Sequence, residues 1–504
     1  MVSPCRNVAV PARSWRLTLE RLGIIDIGSN TVRLVVYNVE SRLPIPMFNE
    51  KASCRLGAGL AESGKLNPDG VEFAIRSITR FVHLARAMEV SKLSLVATAA
   101  VRTATDGPSF IAAIEAKCDV DVEVLSGEEE ARLASVGILN GTPDADGLLC
   151  DLGGGSLDLV LLNDGVSCHY GTVPLGHIML DETSGGKTGK AQNIVDDELD
   201  GVAWLGDVRR RTLYAVGGSV RALAKLYIRQ SGYPIRIVDG FSMRGSVAGD
   251  FTELLSMQSP ESLKTSPDIS SKRVETLPMA ALVIGNLIRR TRSREVIFSG
   301  FGMREGKMIS MLPKRDQNLD PLIAACEVMG ARNGRFSLPG RELYQWISPV
   351  FPDDSETHDR CRLAACLLSD LCWDEHPDYR AEHAFERTLR LPVAGMDHTQ
   401  RVFLALSIFV RYGGDIKDRI TKPVLSAIDE DALHGALITG QALRLGHVLA
   451  GSAPGLLALT HLKRTADAVI LVSEHDQSLV GGEVVERRLR NLAQTLNLSY
   501  EMQT

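Results

Sequence analysis

The sequence predicts an α/β protein whose first three-fifths hold two similar halves, followed by a mainly helical C-terminal region. Three observations point that way. Short apolar runs ending in Gly, Ser or Asn alternate with helical patterns as far as Pro313. A motif recurs: "IIDIGSNTVRLVVY" (Ile24–Tyr37) and "LCDLGGGSLDLVLL" (Leu149–Leu162) share the order apolar, Asp, apolar, Gly, small, small, second apolar run, with their aspartates 125 residues apart. Beyond the polar, Pro-flanked "PKRDQNLDP", hardly a strand pattern remains apart from "ADAVILVSEH".

Residues 1–20 read as an extension. The first half, 21–145, opens on a hairpin around Asp26, continues through the helical "PDGVEFAIRSITRFVHLARAMEV" and the strands "SKLSLVATAAVR" and "VDVEVLSG", and ends in the helix that begins "SGEEEARL". The second half, 146–315, repeats the hairpin around Asp151 and places "TLYAVGGS" and "REVIFSGFG" ahead of helices, the last of which is expected to pack back on the first half. Residues 316–504 form the mainly helical remainder.

At 504 residues the chain exceeds one ordinary core, so two or three domains are expected. Hydrophobic residues at 44% and charged ones at 23% are near globular averages. No apolar run reaches the roughly 18–20 residues of a membrane span. The opening "MVSPCRNVAVPARSWRLTLE" lacks the unbroken apolar segment of a signal peptide. A cytoplasmic protein without membrane or nucleic-acid partners is expected. Nine cysteines with no C-x-x-C pair, Cys361, Cys366 and Cys372 included, read as packing residues. The net charge of −6 is uneven: residues 1–315 hold 37 Lys+Arg against 36 Asp+Glu, residues 316–504 hold 19 against 26. A polyanionic ligand must therefore be drawn by local basic clusters and backbone dipoles.

The repeated turns are the chemically informative feature. Glycine lets an outside group approach successive amide N–H groups, which together make a concave anion site. Asp26 and Asp151 add hard oxygen ligands suited to Mg²⁺ beside a phosphate. Two such turns facing each other would grip one phosphate chain from both sides; an ordinary hairpin turn with an Asp is the alternative for either copy alone. Further glycine turns, Gly217-Gly218-Ser219 and the "SGFGMREG" around Arg304, precede helices whose free N–H groups suit an anion. Arg33, Arg221 and Arg304 sit within or beside these turns. "SGGKTGKA" (Ser184–Ala191) fails the Walker A pattern twice and reads as a mobile surface loop.

Together "DIGSNTVRL", "ATAAVRTA", "LSGEEEARL", "DLGGGSLDLV", "AVGGS" and "SGFGMREG" resemble the exopolyphosphatase and guanosine pentaphosphate phosphohydrolase (Ppx/GppA) family, over about residues 20–312. That family lies within the actin, sugar kinase and Hsp70 ATPase superfamily, so the resemblance implies a duplicated actin-like (ribonuclease H-like) core. It places the phosphate-gripping turns on Asp26, Gly28, Ser29 and Asn30 and on Gly153, Gly154, Gly155 and Ser156. It also implies a phosphate-contacting Arg102, a catalytic Glu130 and Mg²⁺ (or Mn²⁺) at Asp151 and at Asp158, where many relatives carry glutamate. The implied activity is hydrolysis of terminal phosphate from inorganic polyphosphate, with pppGpp as alternative substrate, (p)ppGpp as a further ligand or regulator, and a homodimeric assembly. A non-catalytic alarmone or nucleotide sensor is the more distant alternative.

Glu128, Glu129 and Glu130 cannot all face one cleft, because helix neighbours point about 100° apart. All three also suit a helix N-terminus. Lys272, Arg273, Arg289, Arg290, Arg292 and Arg294 are the densest basic group of the first domain and read either as a polyphosphate track or as a solvated helix face. "HDRCRLAACLLSDLCWDEHPDYRAEHAFERTL" resembles the helical HD-like domain of the longer relatives, giving an expected all-α C-terminal domain. The expected His-Asp metal pair reads Ser369-Asp370 here, so a structural or polymer-guiding role is expected, with His358, His376 and His383 as ordinary residues.

Overall fold

The computed structural model describes residues 20–39, 45–264, 274–333, 335, 339–352, 354–473 and 480–503. In the first half, β1 (Glu20–Ile27), β2 (Thr31–Val39) and β3 (Ile45–Ser53) are followed by α1 (Leu60–Ser63), α2 (Pro68–Ala87), β4 (Lys92–Ala97), α3 (Ala99–Thr103), α4 (Gly107–Cys118), β5 (Val122–Val124) and α5 (Gly127–Gly141). The sheet order is β3-β2-β1-β4-β5. α2 starts on Pro68, whose fixed φ suits a first helical turn, and buries Ala74, Ile78, Phe81, Val82 and Ala85 at helical spacing.

The second half contains β6 (Gly147–Leu152), β7 (Leu157–Asn163), β8 (Val166–Val173), α6 (His177–Ser184), α7 (Thr188–Asp200), β9 (Thr212–Val216), α8 (Gly218–Gln230), β10 (Phe241–Arg244), α9 (Gly245–Ser256), α10 (Pro260–Lys264), α11 (Leu277–Thr291), β11 (Glu295–Phe298) and α12 (Met303–Ser310). Its sheet runs β10-β11-β9-β6-β7-β8. Read from the other edge, β8-β7-β6-β9-β11 repeats the order of the first sheet. In both halves the central strand pairs antiparallel with the next and parallel with the one after the first helical excursion. The expected loop at Ser184–Ala191 is corrected: Ser184 ends α6, Gly185 caps it in the left-handed region, and α7 begins at Thr188, because nothing after the glycine pair opposes helix.

One core layer belongs to both halves. Ile24 and Val35 of the first sheet and Leu149 and Val160 of the second are buried with Leu133 and Ile138 of α5 and Met308 and Ile309 of α12. α5 and α12 approach closely because glycines meet there: a Cβ on Gly306 would overlap the Leu133 carbonyl oxygen, and one on Gly137 the Gly302 carbonyl. Tyr37 donates to Glu305 at 3.1 Å, and Glu305 in turn accepts from the Gly302 N–H at 3.0 Å. This crossing fixes the start of α12 against the helix that carries Glu130.

The C-terminal region comprises α13 (Lys314–Gln317), α14 (Pro321–Asn333), α15 (Gly340–Ile347), α16 (Glu356–Leu367), α17 (Pro377–Leu389), α18 (His398–Arg411), α19 (Glu430–Ala450), β12 (Thr460–Arg464), β13 (Ala468–Ser473), α20 (Glu483–Thr495) and β14 (Ser499–Gln503). It is not all-α. The apolar β13 is flanked by β12 and β14 in a three-stranded sheet, and those partners escape sequence reading because they are short and largely polar. The region docks on the second half through Ile235, which enters the cluster of Val402, Phe403 and Phe409, and through Tyr233, whose hydroxyl is 3.0 Å from His398 Nδ1. Among the described residues no helix is long and apolar enough to cross a membrane.

Overpacking a close helix crossing costs about 1–3 kcal/mol. Gly306→Ala is expected to lower the unfolding midpoint accordingly in a denaturant titration, whereas Gly185→Ala, at a site with open space but a φ of +63°, acts only through its local turn.

Candidate active site

The two repeated hairpins close in the same way. Gly28 N–H donates to the Thr31 carbonyl and Gly153 N–H to the Ser156 carbonyl, each at 3.0 Å. The turns meet face to face across the two halves. A Cβ on Gly155 would lie 2.9 Å from Ser29 Oγ, and one on Gly154 3.3 Å from Ser29 Cβ. The first turn is held by Arg55 N–H on the Asn30 carbonyl at 3.0 Å and Gly57 N–H on the Ser29 carbonyl at 2.9 Å. His177 holds the second: its Nδ1 lies 2.7 Å from the Gly153 carbonyl and its Nε2 3.2 Å from Ser219 Oγ. A carbonyl can only accept, so Nδ1 carries a proton, and the Nε2–Ser219 hydrogen bond ties the "AVGGS" turn to the "DLGGGS" turn.

A cavity of about 240 Å³ is lined by both turns, by Gly217, Gly218 and Ser219 ahead of α8, and by Gly302 and Arg304 at the start of α12. Asp26, Glu130, Asp151 and Asp158 supply carboxylates to it, and Arg33, Lys51, Arg221 and Arg304 supply positive charge. Asp239 supports its far rim, accepting from Gly300 N–H at 2.9 Å, while Arg221 donates to the Gly300 carbonyl at 3.1 Å. Arg304 lies 3.7 Å from Asp26.

The acid triplet divides as helix geometry requires. Ser126 caps α5 by accepting from Glu129 N–H at 3.1 Å. Glu128 is exposed, and Glu129 turns to Arg132 at 2.7 Å. Glu130 points into the cleft with its side chain 13% exposed, 3.1 Å from Arg102. Burial pushes its carboxyl up to about 7; Arg102 opposes the rise, and the charges of Asp151 and Asp26 add to it. Arg102 is not among the residues lining the cleft. Its guanidinium donates to Glu130 and, at 2.7 Å, to the Leu125 carbonyl, and faces a second cavity of about 230 Å³ behind the turns. That second cavity is also lined by Ser29, Gly154, Gly155 and Ser156 of the two turns, so Arg102 both holds Glu130 and stands beside the turns that the resemblance assigned to phosphate.

The remaining carboxylates crowd one another. In the strand register Asp26 stands opposite Arg33, and the equivalent partner of Asp151 is Asp158. Burial raises Asp151 to about 6 and Asp158 well above the usual carboxylate range, the latter helped by Glu130 and Asp151 and opposed by the Thr172 hydroxyl that donates to it at 2.7 Å. Neither pairs directly with a cation among the described residues. Among those residues no group of three or more His, Cys, Asp or Glu is placed to hold an ion. A metal here would be held by Asp151 and Asp158 and completed by phosphate oxygens and water, which is how Mg²⁺ binds. The donor set fits that ion.

Sequence reading missed His177, Lys51 and Asp239, none of which belongs to a spaced motif; each earns its place only through the fold. The basic group at the end of α11 lies away from this cavity: Arg290 pairs with Asp196 at 2.8 Å and with Asp200, and Arg292 and Arg294 are exposed. Lys272 and Arg273 lie outside the described residues.

Duplicated sheets of matching strand order with glycine turns facing each other define a protein of the actin-like class. The Ppx/GppA phosphatase family model matches residues 35–315, and the chain belongs to that family. The exopolyphosphatase C-terminal model matches residues 322–501. Retrograde regulation protein 2 of Saccharomyces cerevisiae is 24% identical over 79% of this chain and 73% of its own length. Exopolyphosphatase 1 of Mycobacterium tuberculosis is 34% identical over 28% of this chain, a stretch amounting to 41% of that protein. A guanosine-5'-triphosphate,3'-diphosphate pyrophosphatase of Pseudoalteromonas atlantica is 22% identical over 76% of this chain and 78% of its own length. Among solved structures, an exopolyphosphatase from Cytophaga hutchinsonii superposes with a TM-score of 0.54 at 21% identity, covering 58% of this chain and 97% of that one.

Because Asp158 binds its proton more tightly folded than unfolded, its contribution is intact below the unfolded pKa of about 3.9 and is lost as pH rises toward the raised folded value. In chelator, Asp158→Asn is expected to melt several degrees above the parent at about pH 8, with the gap closing near pH 4. Added Mg²⁺ is expected to raise the Tm of the parent more than that of the variant. Thermal melts across pH provide the check.

Proposed function

We propose that this chain is a Mg²⁺-dependent exopolyphosphatase that releases orthophosphate from the end of inorganic polyphosphate. The observation that carries the reading is Glu130, which faces the space where the two glycine turns meet. In that place its carboxylate accepts the proton of a water molecule as the water oxygen bonds to the terminal phosphorus. The bridging P–O bond breaks, and orthophosphate and a chain one unit shorter result. Arg102 keeps Glu130 aimed, while the amides of both turns and Arg304 meet the charge that develops on the phosphoryl oxygens. Mg²⁺, when bound at Asp151 and Asp158, would neutralise phosphate charge and balance those two carboxylates.

The lining supports the polyphosphate reading. Arg33, Lys51 and Arg221 add three cationic side chains to the lining besides Arg304, as a polyanion needs. Among the described residues no Phe, Tyr or Trp lines the cavity, and its one ring, His177, is tied to Gly153 and Ser219, so the lining offers little for a guanine base to stack on. The second reading, hydrolysis of pppGpp, is favoured by the extended likeness to the guanosine pyrophosphatase relative. The helical part of the C-terminal region is read as an HD-like domain in which Ser369-Asp370 has replaced the metal pair.

Glu130→Gln is expected to fold normally and to lose about 100-fold or more in kcat, the contribution of one general base. Phosphate release from polyphosphate, pppGpp and ATP, measured side by side, checks both points. Near-normal turnover by the variant removes Glu130 from its role, and a preference for pppGpp replaces the substrate.

A further inference from the structure

The C-terminal region is acidic overall, 26 Asp+Glu against 19 Lys+Arg over residues 316–504, yet its arginines are unevenly placed. Arg335, Arg380, Arg411, Arg444, Arg487 and Arg488 come together where the ends of α17 and α18 meet α19 and α20. Among the described residues, Asp370 is the one carboxylate in ion-pair contact with any of them, its Oδ1 taking Arg335 and Arg411 at 3.0 Å each. His447 is held neutral by burial and by Arg411 and Arg335, and its ring nitrogens lie 2.7 Å from Ser452 Oγ and 2.8 Å from Ser369 Oγ. Nearby acids are engaged elsewhere: Glu375 lies 3.1 Å from His383, and Glu486 accepts from Arg490 at 2.8 Å.

The cluster has donors to spare. Arg411, 8% exposed, stacks at 4.0 Å on the Tyr412 ring, which Arg380 also faces at 5.7 Å. Tyr412 Oη and the Nε atoms of Arg335, Arg411 and Arg488 are buried without a partner among the described residues. Arg444 makes no hydrogen bond or ion pair to a described residue, and its guanidinium lies against Gly413, where φ is +91°. Burial and the like charges of Arg488, Arg411 and Arg487 pull Arg444 down to about 10. Arg335, Arg411 and His447 surround the Ser369-Asp370 position, where a His-Asp pair would bind a cation, and Arg444, Arg487 and Arg488 continue the cluster from Arg411. With Asp370 already neutralised by two guanidinium groups, the place favours negative charge.

We propose that this arginine cluster is a second anion site, separate from the catalytic cleft, that takes a phosphate group of orthophosphate or of a phosphorylated small ligand. Guanidinium forks match phosphate oxygens in pairs, and the partially exposed Arg444 and Arg488 give the ligand access. The proposal stands whichever substrate the cleft hydrolyses.

Equilibrium dialysis of the full-length protein with labelled orthophosphate is expected to show one more bound equivalent for the parent than for R444A/R488A, with R444K/R488K retaining weakened binding. Glu130→Gln is expected to keep the parental count. In the parent, orthophosphate is also expected to slow hydrogen exchange in the segments around Arg444 and Arg488. Displacement by tripolyphosphate and by guanosine tetraphosphate identifies the source: equal potency assigns the site to the phosphate group itself, and guanosine tetraphosphate at about tenfold lower concentration assigns it to a nucleotide. Equal stoichiometry in the parent and R444A/R488A, or no phosphate-dependent protection in the parent, overturns the proposal.

Discussion

The contact between Ser29 and the Gly154-Gly155 backbone is the constraint on which the active region rests. Two hairpins from different sheets present their turns tip to tip, and the separation is that of a serine side chain against bare backbone. A methyl group at Gly155 would press on Ser29 Oγ, and one at Gly176 would overlap the Gly155 backbone from behind. Gly176 must therefore be glycine, because backbone cannot give way, and Gly154 and Gly155 let the turns close to serine-hydroxyl distance. Nothing in the sheets demands this; their register is complete without it.

The same cleft stores unfavourable charge. Asp26, Glu130, Asp151 and Asp158 are all raised by burial, and each of the last three also feels another carboxylate of the group. Like charges brought together out of water cost stability, and such arrangements persist where function needs them. The α5–α12 crossing and the shared apolar layer beneath it offset that cost. Asp239 extends the support to the C-terminal region, since the carboxylate that receives the Gly300 N–H also faces Arg401 of α18.

The repeated turn and the divergence of Glu128, Glu129 and Glu130 were legible because they reside in local patterns, small residues at a strand end and three acids on a 100° helical step, whereas the actin-like class and the choice of Glu130 came from the resemblance of the motifs taken together. What was not legible depends on distant pairs. His177 lies 24 residues from Gly153 and 42 from Ser219, and no periodicity links the three. The pairing of Arg102 with Glu130 and with the Leu125 carbonyl likewise joins residues 28 and 23 positions apart and has no local signal. The strands β12 and β14 escaped because an edge strand of alternating polar residues reads like loop until its neighbour is known.

The backbone of the two hairpins repeats, but the side chains facing their aspartates do not: Arg33 occupies in one copy the register position that Asp158 occupies in the other. Identical hairpins would have offered the shared cavity the same pair of groups twice. Instead the first half brings a guanidinium and the second an additional carboxyl, so the two walls of one cavity differ in charge although their backbones match. A single departure from symmetry thus gives a duplicated fold two unlike sides.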